Sequence, residues 1–112
     1  MNRGEIRYGD AGPRYGRRPV LIVTATELIA SLSGITCAPV TTSVRGLATR
    51  VPLGTEEGLR EASEAVCDGL VTIPKAAIDT VPIGSIPESR FIELDRAIAR
   101  ALDIRRANLR PA

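Results

Sequence analysis

The apolar positions of the chain fall into short runs that change period along its length. Pro19-Val20-Leu21-Ile22-Val23-Thr24 is continuous, β-branched and bounded by polar residues, which predicts a buried strand. Residues 4–8 before it alternate weakly, then enter Gly9-Asp10-Ala11-Gly12-Pro13-Arg14-Tyr15-Gly16, a loop by its glycines and proline. Thr26 to Leu32 carries apolar residues at 28, 29 and 32, a short helix with Thr26 as its N-cap and Ser33-Gly34 as its end. Ile35 to Val40 predicts a second strand, in which Pro39 requires an edge, a bulge or a strand end. Thr41-Thr42-Ser43 turns. Leu47 to Leu53 alternates as a half-buried strand does, Gly54 to Gly58 closes it, and the acidic stretch 56–64 is a helical turn or a loop. Residues 65–73 resume extended structure with Gly69 as a bulge. Pro74 to Ile78 reads as one helical turn, and Thr80 to Ser85 as a short strand.

From Pro87 the period lengthens. Phe91, Leu94, Ile98 and Leu102 fall on one stripe while Glu93, Arg96, Arg100 and Asp103 fall on another, predicting the one long amphipathic helix. After Ile104 the pattern is lost, and residues 105–112 are expected to be a frayed basic tail outside a single domain of residues 1–104. Short strands, one small inserted helix and a C-terminal helix place the chain in the α+β class, as a strongly bent sheet or small barrel capped by that helix. So small a domain leaves apolar surface uncovered, and a homodimer is expected.

Composition removes chemistry from consideration. The 112 residues include no His, which excludes imidazole bases, Ser-His-Asp and Cys-His nucleophile systems and the common zinc-hydrolase motifs. Every cation except Lys75 is an arginine, the residue suited to planar, bidentate anion contacts. The net charge of +2 conceals blocks: residues 1–50 hold seven arginines against three acids, and residues 51–68 one against five. A basic first half can form a positive face toward an anionic partner. Cys37 and Cys67 lack the spacing and companions of a metal cage and read as core thiols. No apolar leader follows Met1, and no apolar run approaches the roughly 20 residues that span a bilayer, so a cytoplasmic protein without membrane attachment is expected.

Three stretches in order carry a resemblance: Gly4-Glu5-Ile6 with Asp10 and Gly12-Pro13, then Arg17 to Val23, then Ala38-Pro39-Val40-Thr41-Thr42-Ser43. With Gly46-Leu47-Ala48, Cys67-Asp68 and Thr72-Ile73-Pro74, they resemble the MazF/PemK toxin family over residues 3–104. The resemblance implies a small SH3-like β-barrel of the CcdB/MazF type and a homodimer. It also implies a metal-independent, cofactor-free endoribonuclease that cuts single-stranded RNA at short sequences and inhibits translation, with a cognate MazE-like antitoxin as partner and no DNA target. By position, Arg18 matches the family's catalytic arginine and Thr41 its catalytic threonine. Arg14, Tyr15 and Arg45, in loops beside the expected groove, are candidates for phosphate contact and base stacking, and Arg17, Thr42, Ser43 and Asp68 for further RNA contacts.

The chemistry fits the residue types. Attack of a ribose 2′-OH on the adjacent phosphate supplies its own nucleophile, leaves 2′,3′-cyclic phosphate and 5′-OH ends, and needs charge stabilisation at the phosphorane. A guanidinium holds two phosphate oxygens in its fork and a threonine hydroxyl donates or accepts at a third position. Three places depart from the family pattern: only Arg14-Tyr15-Gly16-Arg17 separates Pro13 from Arg18, Arg7 and Gly9 stand where large apolar residues are usual, and Gly69-Leu70-Val71 replaces a polar stretch. Taken alone, Arg17-Arg18 is also a solvated strand start, Thr41 to Ser43 a self-satisfied turn, and Asp68 a partner for a nearby arginine or amide. Two other classes remain: a CcdB-like gyrase poison of the same fold, which depends on an aromatic C-terminus that Arg110-Pro111-Ala112 lacks, and an inert SH3-like module binding RNA or peptide.

Overall fold

The apolar run becomes the second strand of a seven-stranded antiparallel sheet in a computed structural model that describes residues 1–109. In chain order the elements are β1 (Glu5–Asp10), β2 (Arg17–Ile22), α1 (Thr26–Ile29), β3 (Gly34–Thr41), β4 (Arg50–Leu53), β5 (Ser63–Val66), β6 (Val71–Pro74), β7 (Gly84–Ser85) and α2 (Phe91–Leu102). The sheet runs β4-β5-β3-β2-β1-β7, with β6 also paired to β3, and curls into a half-barrel closed on one side by α2.

β3 is the hub. Its first half pairs with β6, from Gly34 opposite Pro74 to Cys37 opposite Val71. Its end pairs with β5, Val40 opposite Ala65 and Thr41 opposite Glu64. Pro39 therefore lies inside a central strand, not at the edge, bulge or strand end that its missing N–H suggested. The proline falls where β3 exchanges one partner for the other, and no ladder bond is forfeited there.

Alternation along β2 and β3 sorts the core onto the two faces of the sheet. Ile6, Leu21, Ala38 and Val40 join Val51, Leu53, Ala65, Ile86, Leu94 and Ala97 beneath α2. Val20, Ile22, Ile35 and Cys37 pack on the opposite face with Ile29, Ile73 and Ile78. The uninterrupted Val20-Leu21-Ile22 run has this cause: β2 is covered on both faces, so no position along it is free to be polar. Both thiols are buried, and burial pushes Cys37 up to about 12 and Cys67 to about 11, where neither ionises at neutral pH.

Several boundaries differ from the pattern reading. β1 runs on to Asp10, into the predicted loop. α1 is one turn long, with Ala25 in the cap position; the Thr26 hydroxyl instead accepts from the Arg3 amide at 2.9 Å. β4 begins at Arg50 rather than Leu47, β7 is two residues long, and the acidic stretch forms a 3-10 turn at Thr55–Glu57 before β5. Gly69 is not a bulge but the end of a 3-10 turn, Cys67–Gly69, that separates β5 from β6. Pro74 opens a 3-10 turn at Lys75–Ala77. On α2 the buried residues are Leu94 and Ala97, flanked by Phe91 and Ile98, whereas Leu102 is exposed. Arg106–Leu109 forms a 3-10 turn within the expected frayed tail, and residues 110–112 of that tail lie outside the described residues. Among the described residues, no helix is long and apolar enough to cross a membrane.

Candidate functional site

The β2–β3 register, which sets Val20 opposite Pro39, carried on by two residues brings Arg18 across from Thr41. Thr41 in turn stands opposite Glu64 on β5, so the three residues form a row across adjacent strands at one end of the half-barrel. Residues in one row leave the sheet on the same face. Together with the β1–β2 hairpin tip and the β3–β4 loop they enclose a cavity of about 240 Å3, lined by Arg14, Tyr15, Arg18, Thr41, Ser43, Arg45, Arg50 and Val66.

The hairpin tip is shaped by Gly12 and Gly16, whose φ values of 88° and 67° lie in the left-handed region that glycine tolerates. Within it the Gly16 amide donates to the Gly12 carbonyl at 2.6 Å, and the Ala11 amide to Gly16 at 2.9 Å. The tight tip holds Tyr15 against Arg18: the Arg18 Nε donates to the Tyr15 carbonyl at 2.7 Å, and the guanidinium lies 5.4 Å from the centre of the Tyr15 ring. The Arg14 guanidinium lies 5.3 Å from the same ring. Among the described residues the two Nη groups of Arg18 make no hydrogen bond, so its fork is available to an anion. Thr41 Oγ1 accepts from the Ser43 amide at 3.1 Å, which orients the hydroxyl at the strand end and leaves its proton to donate.

Below this rim sits a buried carboxylate. Glu64, 2 % exposed, accepts from the Arg45 and Gly46 amides at 2.9 Å each, and Arg50 Nη1 lies 3.4 Å from its Oε1. Burial pushes the Glu64 carboxyl up, but the two amides and the Arg50 guanidinium outweigh it and hold the group below the usual carboxylate range. Arg50 Nη1 also donates to the Ser43 carbonyl at 3.3 Å.

Six of the residues singled out from sequence therefore converge: Arg14, Tyr15, Arg18, Thr41, Ser43 and Arg45. Three stand apart. Arg17, on the other face of β2, pairs with Asp79 at 2.6 Å and lies 5.6 Å from the Tyr8 ring. Thr42 lines a separate cavity of about 410 Å3 with Tyr8, Pro19, Val40 and Leu59. Asp68 lies at the margin, its Oδ1 3.9 Å from Arg50 Nε. Sequence reasoning missed Arg50 and Glu64, which come from separate elements and meet only through β4–β5 pairing; no local pattern marks them. Among the described residues, no three His, Cys, Asp or Glu side chains gather as a metal-binding group.

A family model described as PemK-like, MazF-like toxin of type II toxin-antitoxin system matches residues 2–102. Endoribonuclease MazF3 of Mycobacterium tuberculosis is 41 % identical over 87 residues, covering 78 % of this chain and 84 % of that one. The solved M. tuberculosis toxin MazF-mt6 superposes with a TM-score of 0.83 at 37 % identity, over 90 % of this chain and 98 % of its own. A mycobacterial endoribonuclease solved in complex with its cognate antitoxin shares the fold, with a TM-score of 0.79 at 24 % identity over 94 % and 97 % of the two chains. A sheet of this topology under a C-terminal helix, an arginine-lined cavity at its end and a match over nearly the whole length agree: the chain belongs to the PemK-like, MazF-like toxin family of type II toxin–antitoxin systems.

Proposed function

We propose that this chain is a toxin endoribonuclease that cuts single-stranded RNA at the Arg18–Thr41 cavity without a metal ion, leaving 2′,3′-cyclic phosphate and 5′-OH ends. The observation that carries the reading is the free guanidinium fork of Arg18 set across from the oriented hydroxyl of Thr41, with Arg14, Arg45 and Arg50 around them. In the reaction the ribose 2′-oxygen bonds to the adjacent phosphorus, the bond from phosphorus to the 5′-oxygen breaks, and the proton lost at O2′ is matched by one gained at O5′. Arg18 neutralises the charge that grows on the non-bridging oxygens, and Thr41 donates to a third oxygen. Such donors are worth about 2.7–4 kcal/mol in the transition state, or a factor of 10²–10³ each. Tyr15 offers a ring on which a neighbouring base stacks.

The partners follow from the same reading: single-stranded RNA as substrate, whether messenger, ribosomal or transfer RNA, a second copy of the chain, and a MazE-like antitoxin acting in the cytoplasm. A relative of this fold solved with its cognate antitoxin supports the last of these, and the exposed Val44, Leu47, Val81 and Ile92 support self-association. An acidic, apolar antitoxin segment lying across the arginine-lined cavity excludes RNA by charge. The test is incubation of the purified chain with mixed-sequence single-stranded RNA in EDTA, beside Arg18→Ala, with end chemistry read by mass spectrometry. Cyclic phosphate and 5′-OH ends lost in a folded Arg18→Ala chain are expected. No cuts across a broad pool would overturn the reading and direct attention to gyrase inhibition.

A further inference from the structure

Arg50 and Glu64 form a buried pair that the chemistry above leaves unused. The first residue of β4, Arg50 stands opposite Val66, two residues along β5 from Glu64, so both side chains leave the sheet on the same face. Its side chain is only 12 % exposed, yet it lines the cavity beside Arg18 and Thr41. Nη1 is occupied by Glu64 and the Ser43 carbonyl. Nε is buried and has no hydrogen-bond partner, Asp68 being too distant at 3.9 Å to accept from it. Nη2 makes no hydrogen bond among the described residues. An unpaired guanidinium N–H in a polar cavity costs free energy that an arriving anionic oxygen recovers.

Glu64 has a matching peculiarity. A carboxylate buried in the middle of a β-sheet is costly, and a pair of this kind gives little net stability over apolar residues of similar size. Here each of its oxygens accepts a successive amide of the loop that presents Ser43 and Arg45 to the cavity, while one oxygen also faces Arg50. The carboxylate thus ties the loop to the strand next to Thr41.

We propose that Arg50 is a phosphate-binding residue of the RNA groove, and that Glu64 is a positioning residue that holds Arg50 and the Arg45–Gly46 backbone against the cavity. The proposal rests on the endoribonuclease reading of the site. It assigns to the groove a second phosphate, next to the one held by Arg18.

The test uses the full chain and a single-stranded RNA carrying a 2′-O-methyl group at the scissile nucleotide, so binding is read without cutting. The main variant is Arg50→Gln with Glu64→Gln, which leaves the net charge unchanged and keeps one acceptor, the carboxamide oxygen, where the carboxylate offers two to the Arg45 and Gly46 amides. Removing one cation that neutralises a phosphate lowers the slope of log affinity against log salt by about 0.7 for a single strand. A slope lower by about 0.7 and an affinity lower by about tenfold are expected, read at a temperature below the onset of the variant's melting. An unchanged slope in this folded variant overturns the assignment of Arg50. Should the double variant melt early, Arg50→Lys makes the same comparison: it keeps one charge and so the slope, but loses the fork and several-fold in affinity, and wild-type affinity would overturn the assignment.

Glu64→Gln alone separates positioning from simple electrostatics. Removing an acid beneath an RNA site strengthens non-specific attraction, whereas loosening the loop lowers kcat; affinity equal or greater with kcat about tenfold lower is expected. A variant that cuts as fast as the wild type overturns the positioning role. If the wild-type chain neither binds nor cuts RNA, the reading of the whole site falls with this proposal. Wild-type cutting with an unaltered slope in the variant overturns the proposal alone.

Discussion

Gly69→Ala perturbs the site from behind. Gly69 ends the turn between β5 and β6, and a methyl group placed there runs into the Tyr15 hydroxyl while standing 3.2 Å from Val66 Cγ1 and 3.4 Å from Tyr15 Cζ. Its φ is not in the left-handed region, so alanine fits the backbone, and the strain falls on the far end of one side chain. To regain ordinary packing distance the ring retreats by about 1 Å. The fold loses little: the two arginine–ring interactions are worth about 0.5–1 kcal/mol each at such exposure, and their partial weakening lowers the melting temperature by about 4–6 °C.

The site loses more. Tyr15 braces Arg18 through its carbonyl and ring, and misplacement of a catalytic group by about 1 Å costs up to about 10²-fold in rate. A fall of about 10–100-fold in kcat/KM for Gly69→Ala, read with a fluorogenic RNA, is expected. The severe clash is with the hydroxyl: Cζ sits at an ordinary 3.4 Å and Val66 Cγ1, at 3.2 Å, needs to give by only a few tenths of an ångström, so Tyr15→Phe in the same chain removes the main cause. The double variant is expected to recover to within about threefold of wild type, and Tyr15→Phe alone to change activity by no more than about twofold. Wild-type activity in Gly69→Ala, or no recovery in the double variant, would refute the placement of Tyr15 as the brace of Arg18.

Arg17→Ala is expected to leave cleavage within about twofold of wild type and stability within about 0.5 kcal/mol, because its exposed ion pair with Asp79 faces away from the cavity; a loss above tenfold would show that the groove wraps around β2. The carboxyl groups of Glu5, Glu64 and Glu93 all lie below the ordinary value of 4.5 in the folded chain, so they bind protons more weakly folded than unfolded. Their stabilisation is present above that value and is lost as pH falls through the folded values, and thermal melts from pH 7 to pH 3 are expected to fall from about pH 5 downward. Glu64→Gln is expected to melt lower at pH 7 but to lose less below pH 5; parallel curves for the two chains would show that Glu64 carries none of the acid sensitivity.

What the amino-acid order revealed and what it hid divide along the range of the interactions. Val20 to Ile22 and the Phe91 to Ile98 stripe were legible because burial on one or both faces writes its own period into the chain. Pro39 and Gly69 were misread for one shared reason: each marks an interruption, but its kind depends on which strand arrives from elsewhere, β5 replacing β6 beside Pro39 and a turn replacing a bulge at Gly69. Leu102 keeps the helical period and is nevertheless exposed, since period alone does not say where a covering surface lies. Arg18 and Thr41 were found through a resemblance to a family, since neither an arginine before a strand nor a threonine after one signals chemistry by itself. The register brings them together: antiparallel pairing of β2 with β3, carried on from Val20 opposite Pro39, sets the two across from each other although 23 positions separate their numbers.

Arg50 and Glu64 mark the limit of such reading. In sequence, one is the polar member of an alternating strand and the other belongs to an acidic stretch, and each is fully explained as solvated surface. Only the β4–β5 ladder turns them inward beside the same cavity, where Glu64 holds two amides of the Arg45 loop and Arg50 keeps a buried Nε without a hydrogen-bond partner. In a fold whose framework is set by apolar periodicity, a charged residue out of place in the core is therefore a sharper pointer to a proposed groove than a charged residue on its rim.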